Sequence, residues 1–241
     1  MNTNKKTARV AGFLYLLVVI FSVFTLEYVP GKVIVWDNPT ATANNILTSG
    51  MLFRLGIVIS ILGHISFILL SLVLYKLLKT VNKRYALLMV ILVLLSIPIS
   101  YSLLLKEFDI LQLATRSKYL EAFSASQIQA QIMFAFESYD NGLIISQIFW
   151  GLWLFPFGYL VFKSGFLPKI LGILLMLGCF SYLFDSIGRT LFTNYYDFIN
   201  SRMILLPASL GEIGSCLWLL IMGAKEKPAA VPFDISKLQV S

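Results

Sequence analysis

The chain reads as a succession of long apolar runs separated by shorter polar stretches. A helix that crosses a hydrocarbon core about 30 Å thick needs roughly 20 mostly apolar residues, because no water is present there to bond an exposed backbone. Six stretches meet that length, over 10–26, 52–78, 85–105, 142–162, 170–187 and 203–222. They predict an all-α, polytopic membrane protein whose single domain, residues 1–225, is a six-helix bundle. The first run follows Lys5, Lys6 and Arg9 as a secretory signal would. It is long, however, and leads into Leu26, Glu27, Tyr28, Val29 and Pro30 with no pair of small residues for cleavage, so it reads as a retained helix. Residues 79–84 and 163–169 read as tight turns. The connections 27–51 and 106–141 are long enough to hold structure of their own. In the second, Ser124 or Ser126 is placed to cap a helix whose apolar positions, Ile128, Ile132, Ala135 and Phe136, recur at helical spacing. The segment 106–141 is therefore expected to be partly helical and to lie on the outer membrane surface or cap the bundle. Residues 226–241, with Pro228 and Pro232, read as a short disordered cytoplasmic tail.

Composition narrows the class further. Of 241 residues, 58% are hydrophobic and 13% charged, against about half and about a quarter in soluble domains. That excludes a soluble enzyme and a disordered regulator, and two cysteines are too few for a disulfide scaffold. The net charge of +7 is unevenly spread. With both termini inside, the cytoplasmic segments hold 12 basic and 2 acidic residues, a balance of +10, and the rest of the chain holds 7 and 10, a balance of −3. Cytoplasmic loops carry the excess of Lys and Arg, so the charge predicts an N-in, C-in orientation rather than a nucleic-acid surface. Nucleic acid is accordingly not an expected partner.

Ionisable residues within spans are costly, by about 2.5 to 3.5 kcal/mol at the centre, and usually face the bundle interior or a water-filled cavity. Glu212 falls near the middle of the last run and His64, the only histidine, near the middle of the second. Nearer the outer side lie Glu27, Arg54, Lys106, Glu107, Asp140, Asp185, Arg189 and Arg202. Residues at i, i+3 and i+4 share a helix face. His64 shares its face with Gly56, Ser60, Gly63, Phe67 and Ser71, and Glu212 with Ala208, Gly211, Ser215 and Cys216. Asp185 shares its face with Gly178, Ser181 and Gly188, and Asp140 with Gln147, Gly151 and Gly158. Small residues mark helix contacts in membranes, so these four stripes are expected to face one another. The candidate ligand-binding set is Glu212, Asp185, Arg54, His64 and Asp140, with Asp185 and Arg54 near the mouth of an outward-opening polar cavity and Glu212 and His64 at its floor. The competing bland arrangement pairs Asp185 with Arg189, four residues on, and leaves Arg54 reaching for headgroups. Pro98 and Pro156 are expected to kink their helices, and Cys179 and Cys216 read as inert thiols.

Several chemistries lack their residues. One histidine cannot build a zinc hydrolase site, and neither H-E-x-x-H nor C-x-x-C occurs. No phosphate-binding glycine loop or Gly-x-Ser-x-Gly elbow is present. No metal or other cofactor is expected.

Residues 147–175 read QIFWGLWLFPFGYLVFKSGFLPKILGILL, with LFRLG at 52–56, YLFDS at 182–186, and Gly211 and Glu212 followed by LWLL at 217–220. This pattern, over 8–223, resembles a bacterial membrane family known as domain of unknown function 4386. Where such relatives tend to read His-Asp-Tyr-Gly before the fourth span, this chain reads Tyr139, Asp140, Asn141 and Gly142, which keeps the acid and weakens any metal role. The resemblance implies a six-helix protein of the bacterial plasma membrane and supplies no activity. Three functional readings follow. The first is binding or transport of a small solute, ion or lipid headgroup through the polar cavity. The second is a non-catalytic accessory role through segment 106–141, and the third an intramembrane acid/base enzyme using Asp185, Glu212 and His64. Expected partners are membrane lipids, with an unidentified membrane partner or a second copy of the chain left open.

Overall fold

The computed structural model describes residues 3–115 and 118–224, so the tail expected over 226–241 lies outside the described residues. Helix α1 (Thr3–Val23) continues through a wider π-turn (Phe24–Tyr28) into α2 (Val29–Val33). Pro30 has no N–H to give the preceding turn, and a proline ring crowds the carbonyl four residues back. The π-turn opens the helix just before it, where the Val29 N–H reaches back five residues to the Phe24 carbonyl. The chain then folds over into α3 (Pro39–Thr48), capped by the Asn38 side chain, which accepts from the Ala41 N–H at 2.9 Å. Thr42, fully buried, ties the fold-back by accepting from the Val35 N–H and donating to the Val35 carbonyl.

Two long helices follow, α4 (Gly50–Leu78) and α5 (Lys83–Ala114), the latter capped by Asn82. Helix α5 has 32 residues, about 48 Å at 1.5 Å each, and stays helical across Pro98. It therefore outruns the 85–105 span, and its far end belongs to the connection expected over 106–141. Helix α6 (Ala125–Leu152) starts at Ser124, where the hydroxyl accepts from the Gln127 N–H and the Gln127 side chain accepts from the Ser124 N–H, a reciprocal capping box. A break at Trp153 separates α6 from α7 (Leu154–Ser164). It falls where Pro156 leaves the Leu152 carbonyl without its helical donor. Gly165, in the left-handed region at φ 69°, ends α7. Helix α8 (Lys169–Leu191), the short turns α9 (Tyr195–Phe198) and α10 (Ser201–Ile204), and α11 (Leu206–Ile221) complete the chain.

Among the described residues, five helical runs are long and apolar enough to cross a membrane: Asn4–Val33, Gly50–Leu78, Lys83–Ala114, Ala125–Ser164 and Lys169–Leu191. Helix α11 is apolar but has 16 residues. The helices close into a ring in chain order, α1 on α4, α4 on α5, α5 on α6, α6 and α7 on α8, α8 on α11, and α11 back on α1. Small residues make the tightest crossings. A methyl on Gly12 would strike the Leu219 and Leu220 backbone of α11, and methyls on Gly158 or Gly172 would each strike the other's carbonyl. The outer surface carries exposed Leu62, Leu69, Leu95, Phe180, Leu210 and Leu217, an apolar belt suited to lipid.

Two packed cores occupy the ends of the ring. The end bearing the 79–84 and 163–169 turns is filled by Ala8, Leu70, Leu74, Met89, Phe157 and Leu160 among others. The opposite end is a cap, in which Val33, Ile46, Phe53, Ile110, Ile132 and Phe136 join α2, α3 and the protruding ends of α4, α5 and α6. Between the two cores the ring is not filled.

Candidate functional site

The unfilled middle is a cavity of about 490 Å³, within the range of about 300 to 1,000 Å³ of small-molecule sites. Residues of α1, α4, α5, α6, α8 and α11 line it. Tyr15, Phe67, Trp153 and Glu212 lie toward the turn end, and Glu27, Leu104, Tyr139 and Arg189 toward the cap end. Trp153 stacks on Phe157 at 5.2 Å and meets the edge of Phe67 at 5.1 Å. The aromatic cluster seals the cavity from the core beneath it.

Glu212 stands at this floor. The Tyr15 hydroxyl donates to one of its carboxylate oxygens at 3.1 Å, and the Tyr182 hydroxyl to the other at 3.5 Å. Among the described residues no Lys, Arg or His pairs with Glu212. His64 lines the same cavity, its ring set edge-on to Tyr101 at 5.4 Å, and its buried Nδ1 has no hydrogen-bond partner.

Asp185 does not occupy the position expected for it at the mouth. Asp185 is 1% exposed and sits one layer behind the wall. Its carboxylate accepts from the Gln147 amide at 2.9 Å and the Tyr195 hydroxyl at 3.0 Å, and Gln147 is the member of this group that lines the cavity. Burial, and then the bond to Asp185, push the Tyr195 phenol up to about 12. Arg189 does not pair with Asp185 on its own helix; it reaches across to Asp140 of α6 at 2.8 Å and lies over the Tyr196 ring at 5.4 Å. Arg54 is exposed, forms no ion pair among the described residues and is not part of the cavity wall.

The cavity thus brings together Glu212 and His64, backs them with Asp185 through Gln147, places the Asp140–Arg189 pair at the cap end, and leaves Arg54 aside. Tyr15, Gln147, Trp150 and Trp153 complete the wall without having been singled out as binding residues. Tyr15 left one trace in the sequence: it is a tyrosine well inside an apolar run, on a face with Ala8, Ala11 and Gly12, away from the interfaces where tyrosine usually anchors. Among the described residues, no three of His, Cys, Asp and Glu come together as a metal site.

A closed ring of apolar helices around a cavity that holds Glu212 and His64 defines an all-helical, multi-pass membrane protein. Comparison with known proteins places it more closely. The chain belongs to the family described as Domain of unknown function (DUF4386), whose model matches residues 10–223. It is also similar to a protein of Archaeoglobus fulgidus described as uncharacterized, with 32% identity over 120 residues, 50% of this chain and 68% of that one. No solved structure matches.

Proposed function

We propose that the protein binds or carries a small solute, ion or lipid headgroup through this cavity, in a bundle of six spans with both termini in the cytoplasm and the cavity opening outward. The observation that carries the reading is Glu212, a carboxylate without a basic partner among the described residues, on the wall of a cavity of about 490 Å³ lined by α1, α4, α5, α6, α8 and α11. A protein that needed only packing would have filled this space with apolar side chains, as it does at both ends. The orientation follows the +10 charge balance of the segments assigned to the cytoplasm. In this arrangement α11 is the sixth crossing: it seals the ring between α8 and α1, and its 16 residues, about 24 Å, are extended at the cap end by α10.

The test uses the purified full chain in detergent micelles and three probes of similar size, benzyltrimethylammonium, benzyl alcohol and benzenesulfonate. Trp150 and Trp153 line the cavity, so occupancy is read as a change in tryptophan fluorescence. At least one probe is expected to give a saturable change that is lost when Ser60→Phe fills the wall. No saturable response to any of the three, or responses unaffected by Ser60→Phe, would refute the reading.

A further inference from the structure

We propose that the ligand of this cavity is an organic cation, an ammonium group on a small apolar body; the proposal rests on the binding reading above and specifies its chemistry. The charge on the wall comes first. Glu212 at the floor and Glu27 at the cap end both line the cavity, and neither has a basic partner among the described residues. Arg189 is the only Lys or Arg of the wall among the described residues. Its charge is already engaged, by Asp140 at 2.8 Å and by the face of Tyr196. What remains without a basic partner along the wall, among the described residues, is acidic. The exposed Glu27 stands where an entering cation would meet it first, and like-signed walls of low dielectric concentrate the opposite charge.

The walls themselves point the same way. Aromatic residues line much of the cavity, among them Tyr15, Phe67, Trp150, Trp153 and Tyr182, and the faces of such rings attract ammonium groups, tryptophan most strongly. Tyr15 and Tyr182 donate their hydroxyl protons to Glu212. Each carboxylate oxygen accepts one such bond and keeps acceptor capacity for a ligand. Nδ1 of His64, buried and without a partner, is a further place for an ammonium N–H to donate. An anion would meet the two carboxylates with no free cation to receive it. A neutral solute would gain the apolar contacts but leave Glu212 without a counter-charge.

The same fluorescence titration tests this, with benzyltrimethylammonium as a probe whose charge is independent of pH. The expected result is binding at least tenfold tighter than that of benzyl alcohol or benzenesulfonate. Glu212→Gln is expected to weaken the cation at least tenfold and leave benzyl alcohol unchanged. Glu27→Gln, at an exposed position that tolerates substitution, is expected to slow association of the cation and reduce its dependence on salt. Equal binding of the three probes, tighter binding of the sulfonate, or a cation affinity indifferent to both substitutions would overturn the cation while leaving a solute-binding cavity in place. Failure of every probe to bind would overturn both proposals.

Discussion

At the scale of single residues, the central feature is a carboxylate held by two phenols. Replacing Tyr15 by Phe removes the shorter bond and leaves one Glu212 oxygen without its donor, which costs about 1 to 3 kcal/mol for a buried acceptor. Tyr182 donates over 3.5 Å, at the outer limit of a hydrogen bond, so Tyr182→Phe is expected to cost less. Thermal unfolding of the two variants in detergent should rank them in that order, and the reverse order would show that Tyr182 is the main support. Glu212 and His64 were legible in the sequence because charge and imidazole stand out in an apolar run. Tyr15 was not, since a phenol among aliphatic residues reads as packing until its partner, 197 positions away, is known. Asp185 was expected at the cavity mouth, or else paired with Arg189; the fold instead buries it behind the wall and brings Gln147 and Tyr195 to it.

At the scale of elements, hydropathy marked the middle of each helix but not its ends. Helix α5 runs on to Ala114 and α6 begins at Ala125 because the cap core buries Ile110, Leu111, Ile128 and Ile132, and burial in protein extends a helix where lipid no longer does. A serine cap was readable, at Ser124 or Ser126; the structure takes Ser124, three residues before Gln127. The π-turn was not anticipated: Pro30 was read as part of the connection after the first span, whereas the helical run continues through it to Val33. Small-residue stripes proved to be crossing points. Gly12→Ala is expected to destabilise the protein by about 1 to 3 kcal/mol, the usual range for overpacking, because a methyl there meets the α11 backbone, which cannot rotate away. Gly31→Ala has nothing within 4 Å of the new methyl and is expected to be neutral or to stabilise by about 0.5 to 1 kcal/mol through the lower entropy of the unfolded chain. Equal melting temperatures for the two variants would show that the α1–α11 contact is not as close as described.

At the scale of the whole molecule, the chain separates two kinds of interior. One end of the ring is a packed apolar core, the other is a helical cap, and the space to hold a ligand, with Glu212 and His64, lies between. The proposed outward opening requires a route to solvent beside the cap, where Glu27 of the wall is exposed. The sequence carried the sign of this asymmetry as charge: basic residues gather in the turns at one end and acids toward the other. The closed ring itself was beyond it, because which helices become neighbours depends on contacts between residues far apart in the chain. The most direct measurement of the outward cavity is single-cysteine accessibility in intact cells, with a membrane-impermeant thiol reagent. Cys179 and Cys216 are buried and give little background. Asn38→Cys, in the turn before α3, reports which side the cap end faces, and Ser22→Cys reports the cavity wall. The account predicts that both are labelled from outside and that benzyltrimethylammonium protects Ser22→Cys alone. Labelling of Asn38→Cys with none at Ser22→Cys, or labelling of Ser22→Cys only from the cytoplasmic face of inverted vesicles, would contradict it.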